Sequence, residues 1–260
     1  MPDHGALAAR LHAAWNDRTT IEPFGEAGEL TTVEDAYAVQ QEWAKLRAAE
    51  GETTVGRKIG LTSPGMQRQM GVSEPDFGDL WGSRRFTDDI PIGTFIQPRV
   101  EGEVAFLMKS DLQGPGVTEA DVIAAADAAA LSVEIVDSRI TDWRIKLVDT
   151  IADDASYGGF VTGAWSEQLL HCDLARQPFE LSRGGESLVR ESGAAVLGSP
   201  LTAVAWLANK LGSFGVGIRA GDVVLSGSFG GAVPAKAGDA FTLTTPGEPS
   251  LTVRFTESPA

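Results

Sequence analysis

Residues 99–108 read RVEGEVAFLM, and this short run decides how the chain is to be folded. Val100, Val104, Phe106 and Met108 alternate with Glu101, Glu103, Ala105 and Leu107, the period of two of a β-strand. Both glutamates therefore share one face of the strand, and that face continues as apolar residues. Same-face positions two apart lie roughly 6–7 Å from each other, so the two carboxylates can converge on one ion. The competing reading is an ordinary solvated strand face, because a Glu-x-Glu pair by itself recurs by chance.

The rest of the chain narrows the chemistry. Its 260 residues suit one large domain, and 43% hydrophobic with 22% charged residues is the balance of a soluble globular protein. The net charge of −15 repels nucleic acid and anionic membrane surfaces. The single Cys172 excludes a disulfide framework and a multi-cysteine zinc site and fits a reducing cytoplasm. The N-terminus does not read as a signal peptide, and no apolar run reaches the ~20 residues of a membrane span. The histidines are His4, His12 and His171, two of them close to the N-terminus, which disfavours a Ser-His-Asp triad or a histidine metal site. Carboxylates, lysine and a hard metal remain as the tools.

Residues 6–16 are predicted as an amphipathic helix. A clearer one starts at an N-cap Thr32 with Asp35 three on and ends at Gly51. From about residue 53 the texture changes to short β runs. TVGRKIGLT (54–62) reads as a strand, SPGMQRQMG (63–71) as a one- or two-turn helix, and 95–109 as the strand carrying the glutamates. Thr118–Ala130 is predicted as a capped, alanine-rich helix followed by a buried strand, LSVEIVDSRI. Ser199-Pro200 opens a helix that Gly212 closes, and Gly-Asp turns precede the β runs in AGDVVLSGS and AGDAFTLTT. The expected architecture is α+β: a helical region over 1–52, then a mixed β-rich catalytic domain over 53–260.

Glu134 sits between Val133 and Ile135 in a run too apolar for a surface strand, and a buried glutamate needs a cation or a metal. With Glu101 and Glu103 it completes an oxygen-only set suited to Mg²⁺ or Mn²⁺, with Asp137 as a reserve; pairing of Glu134 with Arg139 is the alternative. Lys58, flanked by Ile59 and Leu61, can neutralise site charge or shuttle a proton, or else snorkel to the surface. Thr62 and Ser63 can bind a carboxylate or cap the next helix. Asp76, in a Pro-Asp-Phe-Gly turn, and Asp153, Asp154 and Ser156, in one loop, can serve a cleft or cap backbone.

Together GRKIGLTS, EPDFG, PRVEGEVAF, SVEIVDSRI, DTIADDAS, LGSPLTAVAWLANKL and GDVVLSGS occur in an order that resembles the 2-keto-4-pentenoate hydratase and 4-oxalocrotonate decarboxylase family of the fumarylacetoacetate hydrolase superfamily. The resemblance spans about residues 30–255. It implies a mixed β-roll core with outer helices, a metal held by Glu101, Glu103 and Glu134, and an active-site lysine at Lys58. It further implies catalytic roles for Asp76 and Ser156, substrate contacts from Thr62, Ser63 and Ser226, and a homo-oligomer that can associate with a pathway enzyme. The implied activity is hydration of a 2-hydroxy-2,4-dienoate in meta-cleavage of aromatic compounds. Decarboxylation of a 2-oxo acid and a non-catalytic partner subunit are the alternatives, and the scarcity of histidine disfavours carbon–carbon hydrolysis. Two departures from the family pattern, Asp154 and the bulky Tyr157, are expected to reshape the pocket around the substrate tail.

Overall fold

The computed structural model describes residues 2–63, 65, 67, 68 and 74–257. Most of the short helix predicted over 63–71 lies outside the described residues. The chain opens with α1 (His4–Asp17), capped by Asp3, and α2 (Phe24–Ala27). Next comes α3 (Val33–Ala49), whose Thr32 hydroxyl accepts the Asp35 N–H. Leu7, Ala8 and Leu11 of α1 pack with Ala36, Val39 and Trp43 of α3 in one apolar seam. Gln40, buried on α3, donates to the carbonyls of Phe77 and Ile151, both at 2.9 Å, and so ties this helix to the residues around the cleft described below.

The strands that follow are β1 (Thr54–Gly60), β2 (Asp76–Trp81), β3 (Asp89–Pro91), β4 (Arg99–Met108), β5 (Ala126–Val136) and β6 (Tyr157–Thr162). Then come β7 (Pro178–Arg183), β8 (Glu186–Ser192), β9 (Val223–Leu225), β10 (Val233–Pro234), β11 (Ala240–Thr244) and β12 (Leu251–Thr256). One sheet runs β2-β1-β9-β4-β5-β6 with β10 added to β4, and the other runs β3-β12-β11-β7-β8. Pairing is antiparallel except for β1 with β9 and β3 with β12. The helices α4 (Glu119–Ala125), α5 (Leu147–Ala152), α6 (Glu167–His171) and α7 (Pro200–Ser213) complete the expected α+β arrangement of mixed β core and outer helices.

Both faces of β4 are buried, which explains why its sequence turns apolar on the glutamate side. Val100, Val104, Phe106 and Met108 enter the main core. Ala105 and Leu107 pack with Leu80, Tyr157, Phe160 and Leu225 on the opposite face. At Gly102 a Cβ would lie 2.9 Å from Leu243 Cδ1, so the glycine lets the second sheet press directly on the back of this strand.

The predicted helix over 118–130 is corrected. Thr118 and Asp121 form the capping box, yet α4 stops at Ala125, and Ala126–Ala130 are strand, paired with Ala105–Met108 of β4. Alanine favours helix, but a ladder in the core outweighs a few tenths of a kcal/mol per residue of propensity. The hairpin of β7 and β8 is also absent from the sequence reading, although its Gly184-Gly185 turn is a hairpin signal.

Arg139 organises the far end of β5. Fully buried, it pairs with Asp153, and its guanidinium also donates to the carbonyls of Asp137, Tyr157 and Asp153. Glu134 is therefore not its partner. Replacing Arg139 by alanine strands a buried carboxylate and three carbonyls, so unfolding free energy should drop by about 3–5 kcal/mol. A urea titration at unchanged m-value checks this, and a loss below about 1 kcal/mol would contradict it.

Candidate metal and substrate site

Glu101 and Glu134 are direct cross-strand partners on β4 and β5, and Glu103 lies one alternation further along the same face. Their exposures are 7%, 0% and 0%, which excludes the solvated-face reading of the Glu-x-Glu pair. One carboxylate oxygen from each lies within 4.8 Å of the others. The Gly227 N–H donates to Glu103 Oε2 at 2.8 Å, whereas among the described residues Glu103 Oε1 and Glu134 Oε2 have no hydrogen-bond donor. Three buried, converging carboxylates with undonated oxygens fit a hard divalent cation, which prefers oxygen ligands.

Lys58 reaches the triad from β1. Its Nζ stands 3.2 Å from Glu134 Oε1 and donates to the Ala155 carbonyl at 2.8 Å, so it does not snorkel outward. Asp76 begins β2 opposite Gly60, where a Cβ would fall 2.1 Å from Asp76 Oδ1 and 3.5 Å from Lys58 Nζ. Only glycine leaves room for this carboxyl beside the lysine. Gly227 packs against Thr62: its φ of 101° is left-handed, and a Cβ there would strike Thr62 Cγ2 at 2.3 Å.

These groups line or underlie a cleft of about 360 Å³. Lys58, Thr62, Asp76, Glu101 and Ser156 are on its wall, with Glu103 and Glu134 buried behind them. Ser63, half-buried beside Thr62, is not on the described wall. Neither is Ser226, which the chain turns into the fully buried interior beyond β9; the neighbouring Ser228 faces the cleft instead. Thr150, Arg99, Trp143 and Ile145 also line it and were not singled out from sequence. Arg99 was legible, since it shares the face of Glu101. Trp143 was not, because its position depends on left-handed backbone at Asp142 and Trp143.

Such backbone clusters here. Leu61, Trp143, Ala155 and Ser156 are four of the eight described non-glycine residues with left-handed φ, and all four line the cleft. Conformations of this kind cost of order 1–3 kcal/mol each and persist where surrounding contacts impose them. For the 154–156 turn those contacts come from Asp154, which accepts the Asp79 N–H at 2.8 Å and the Trp81 indole N–H at 2.9 Å. Asp154 and Tyr157 therefore brace the turn from behind, Tyr157 donating to the Trp81 carbonyl at 3.3 Å, and neither lines the pocket they were expected to reshape. Asp137 is likewise no reserve ligand, because its carboxylate accepts the backbone N–H groups of Ile96 and Gln97.

Burial, then Glu134, push the Glu101 carboxyl up to about 8. Burial also lifts Glu103 well above the usual range, helped by Glu134 and Glu101. Desolvation pulls the Lys58 ammonium down, but Glu134, Asp76, Glu101 and Glu103 outweigh it and hold it above the ordinary lysine value. Burial raises Asp76 as well, with Lys58 opposing and Glu134 adding.

The fold and this site define a known class. Residues 84–256 match the family model described as fumarylacetoacetate (FAA) hydrolase C-terminal. A 2-hydroxyhexa-2,4-dienoate hydratase of Comamonas testosteroni is 45% identical over 95% of this chain and 96% of its own length. A 2-keto-4-pentenoate hydratase of Paraburkholderia phymatum is 44% identical over 97% of each. The 4-oxalocrotonate decarboxylase of Pseudomonas putida, solved with magnesium and adipate, superposes with a TM-score of 0.92 at 35% identity, covering 97% of both chains. The chain belongs to the fumarylacetoacetate hydrolase superfamily and, within it, to the 2-keto-4-pentenoate hydratase and 4-oxalocrotonate decarboxylase family.

In the metal-free fold Glu101 keeps its proton up to about 8, against an ordinary value of 4.5 when unfolded. Between those limits the folded state binds more protons than the unfolded one, so this group's contribution to stability falls as pH rises. A divalent ion needs the ionised carboxylates and restores most at the alkaline end. Calorimetry should therefore show saturating Mg²⁺ raising Tm more at about pH 8 than at about pH 5. Equal shifts would remove the triad as the binding site.

Proposed function

We propose that this chain is a metal-dependent hydratase that converts a 2-hydroxy-2,4-dienoate and water into a 4-hydroxy-2-oxo acid. The observation that carries the reading is the convergence of Glu101, Glu103 and Glu134 opposite Lys58 at one cleft. The hydratase names of relatives at 44–45% identity support it over the decarboxylase name at 35%.

Glu101, Glu103 and Glu134 would hold Mg²⁺ or Mn²⁺, which supplies Lewis-acid polarisation of the substrate carboxylate and 2-oxygen. Lys58 counters the negative charge left on that oxygen as the enol proton departs to solvent in the cleft, the pool that later reprotonates Asp76, and three carboxylates beside a monoanionic substrate make such a cation necessary. Asp76, whose burial favours its protonated form, delivers a proton to carbon 5 of the diene. The result is an α,β-unsaturated 2-oxo acid. Water then adds across the carbon 3–carbon 4 bond, hydroxide to carbon 4 and a proton to carbon 3. Ser156 and Thr150, whose hydroxyls stand 3.3 Å apart, orient that water. Thr62, with Ser63 beside it, steadies the substrate's polar end.

A second reading, decarboxylation of a 4-oxalocrotonate-type acid, draws on the decarboxylase at a TM-score of 0.92. It would use the same cation and metal to stabilise the dienolate left by carbon dioxide. We further read residues 1–52 as a helical buttress to the β-rich catalytic part over 53–260, and the protein as a cytoplasmic homo-oligomer that can associate with a pathway enzyme in aromatic meta-cleavage. No helix of the described residues is long and apolar enough to cross a membrane.

Mass analysis of 2-hydroxypentadienoate after exposure to the metal-stripped protein, with and without Mg²⁺, tests the main reading. A metal-dependent gain of one water is expected; carbon dioxide release from 4-oxalocrotonate alone would favour the second. Lys58→Ala should lower kcat by about 10²–10⁴-fold while Mg²⁺ binding persists. Unaltered turnover would take Lys58 out of the mechanism.

A further inference from the structure

Arg99 is the second cation on the cleft wall, after Lys58. Lys58 is committed to Glu134 and the Ala155 carbonyl. Arg99 has no such commitment: among the described residues its guanidinium makes no hydrogen bond or ion pair, but stacks on the Trp143 ring at 4.3 Å to the centroid and feels the Glu101 charge at longer range. That stack leaves the N–H edge of the fork unused, the edge that binds a carboxylate in two parallel bonds.

The protein supports Arg99 at some cost. Asp142 and Trp143 both take left-handed φ of 56°, and the Trp143 indole N–H donates to the Gln97 carbonyl at 3.1 Å, which fixes the ring under the guanidinium. Strand alternation puts Arg99, Glu101 and Glu103 in one row on β4, so the guanidinium stands one place from a metal-triad carboxylate. Apart from this row and the polar groups around Lys58 and Ser156, the wall offers an apolar stretch of Leu61, Val136, Ile145 and Ala232.

We propose that Arg99, propped on Trp143, is a specificity-determining residue that binds the carboxylate at the substrate's 2-oxo end, while the apolar wall takes the tail. The assignment rests on the 2-oxo acid reading above, but not on which reaction follows. Arg99 then excludes substrates lacking that carboxylate and leaves the far end of the substrate without a cation to meet it.

The test is calorimetric binding, with saturating Mg²⁺, of 2-oxopentanoate and 2-oxohexanedioate, two unreactive probes that differ in a far-end carboxylate. Arg99→Met should weaken both about 10–100-fold, the effect of removing a charge-assisted hydrogen-bond pair. Arg99→Lys, which restores charge without the fork, should recover part of the loss. Mg²⁺ affinity should be retained, and for the reacting dienoate the defect should fall on KM rather than kcat. Unchanged binding of 2-oxopentanoate overturns the proposal, and so does a loss confined to 2-oxohexanedioate, which would place the far-end carboxylate at Arg99. If the wild-type protein binds both probes through Arg99 yet neither hydrates nor decarboxylates, this inference stands and the enzymatic reading fails.

Discussion

Four buried carboxylates, those of Asp76, Glu101, Glu103 and Glu134, converge in a site that contains one buried ammonium group, Lys58. This imbalance is the constraint from which the rest of the architecture follows. Ionised together, the acids would repel one another in a low dielectric, and burial already forces protons onto some of them. A divalent cation would remove the conflict by discharging the triad. In the proposed mechanism Lys58 and Asp76 then handle substrate charge and protons, so the same charges would serve stability and catalysis.

Holding such a cluster requires a rigid frame. The triad sits on two long adjacent strands of the larger sheet, and the second sheet presses on the back of β4 through Gly102. The opposing wall is a turn in left-handed conformation, anchored by Asp154 to β2 and, through Asp153 and Arg139, to the end of β5. Its carbonyl at Ala155 takes a proton donor from Lys58, and Ser156 is presented beside Thr150. The strain in this turn is tolerated because buried hydrogen bonds on both sides leave it no alternative.

The same frame explains how one family can host two reactions. Hydration of a dienoate and loss of carbon dioxide from a related acid both pass through a dienolate, and both need its negative charge met. The choice between them lies in what reaches the carbon skeleton, a bound water or nothing. In the proposed mechanism the hydroxyls of Ser156 and Thr150 are thus better placed to separate the outcomes than the triad, which would serve either.

How much of this could be read without coordinates follows from the range of the forces involved. Alternation along RVEGEVAFLM determines that Glu101 and Glu103 share a face, and the apolar neighbours of Glu134 determine that it is buried, because side-chain period and burial cost are local properties. Helix caps at Thr32 and Ser199 are local too, and both fall where the sequence puts them. Ala126–Ala130 read as helix because propensity is local, while the ladder that makes them strand is not. Pairing of Lys58 with Glu134, of Arg139 with Asp153, and the exclusion of Asp137, Asp154, Tyr157 and Ser226 from the cleft wall all depend on residues that meet only when the sheet closes. The sequence by itself marked candidate groups, among them Glu101, Glu103, Glu134 and Lys58, because alternation and burial cost are local. Tertiary structure alone decided which of them face one another, since buried charges choose partners by distance in space and not along the chain.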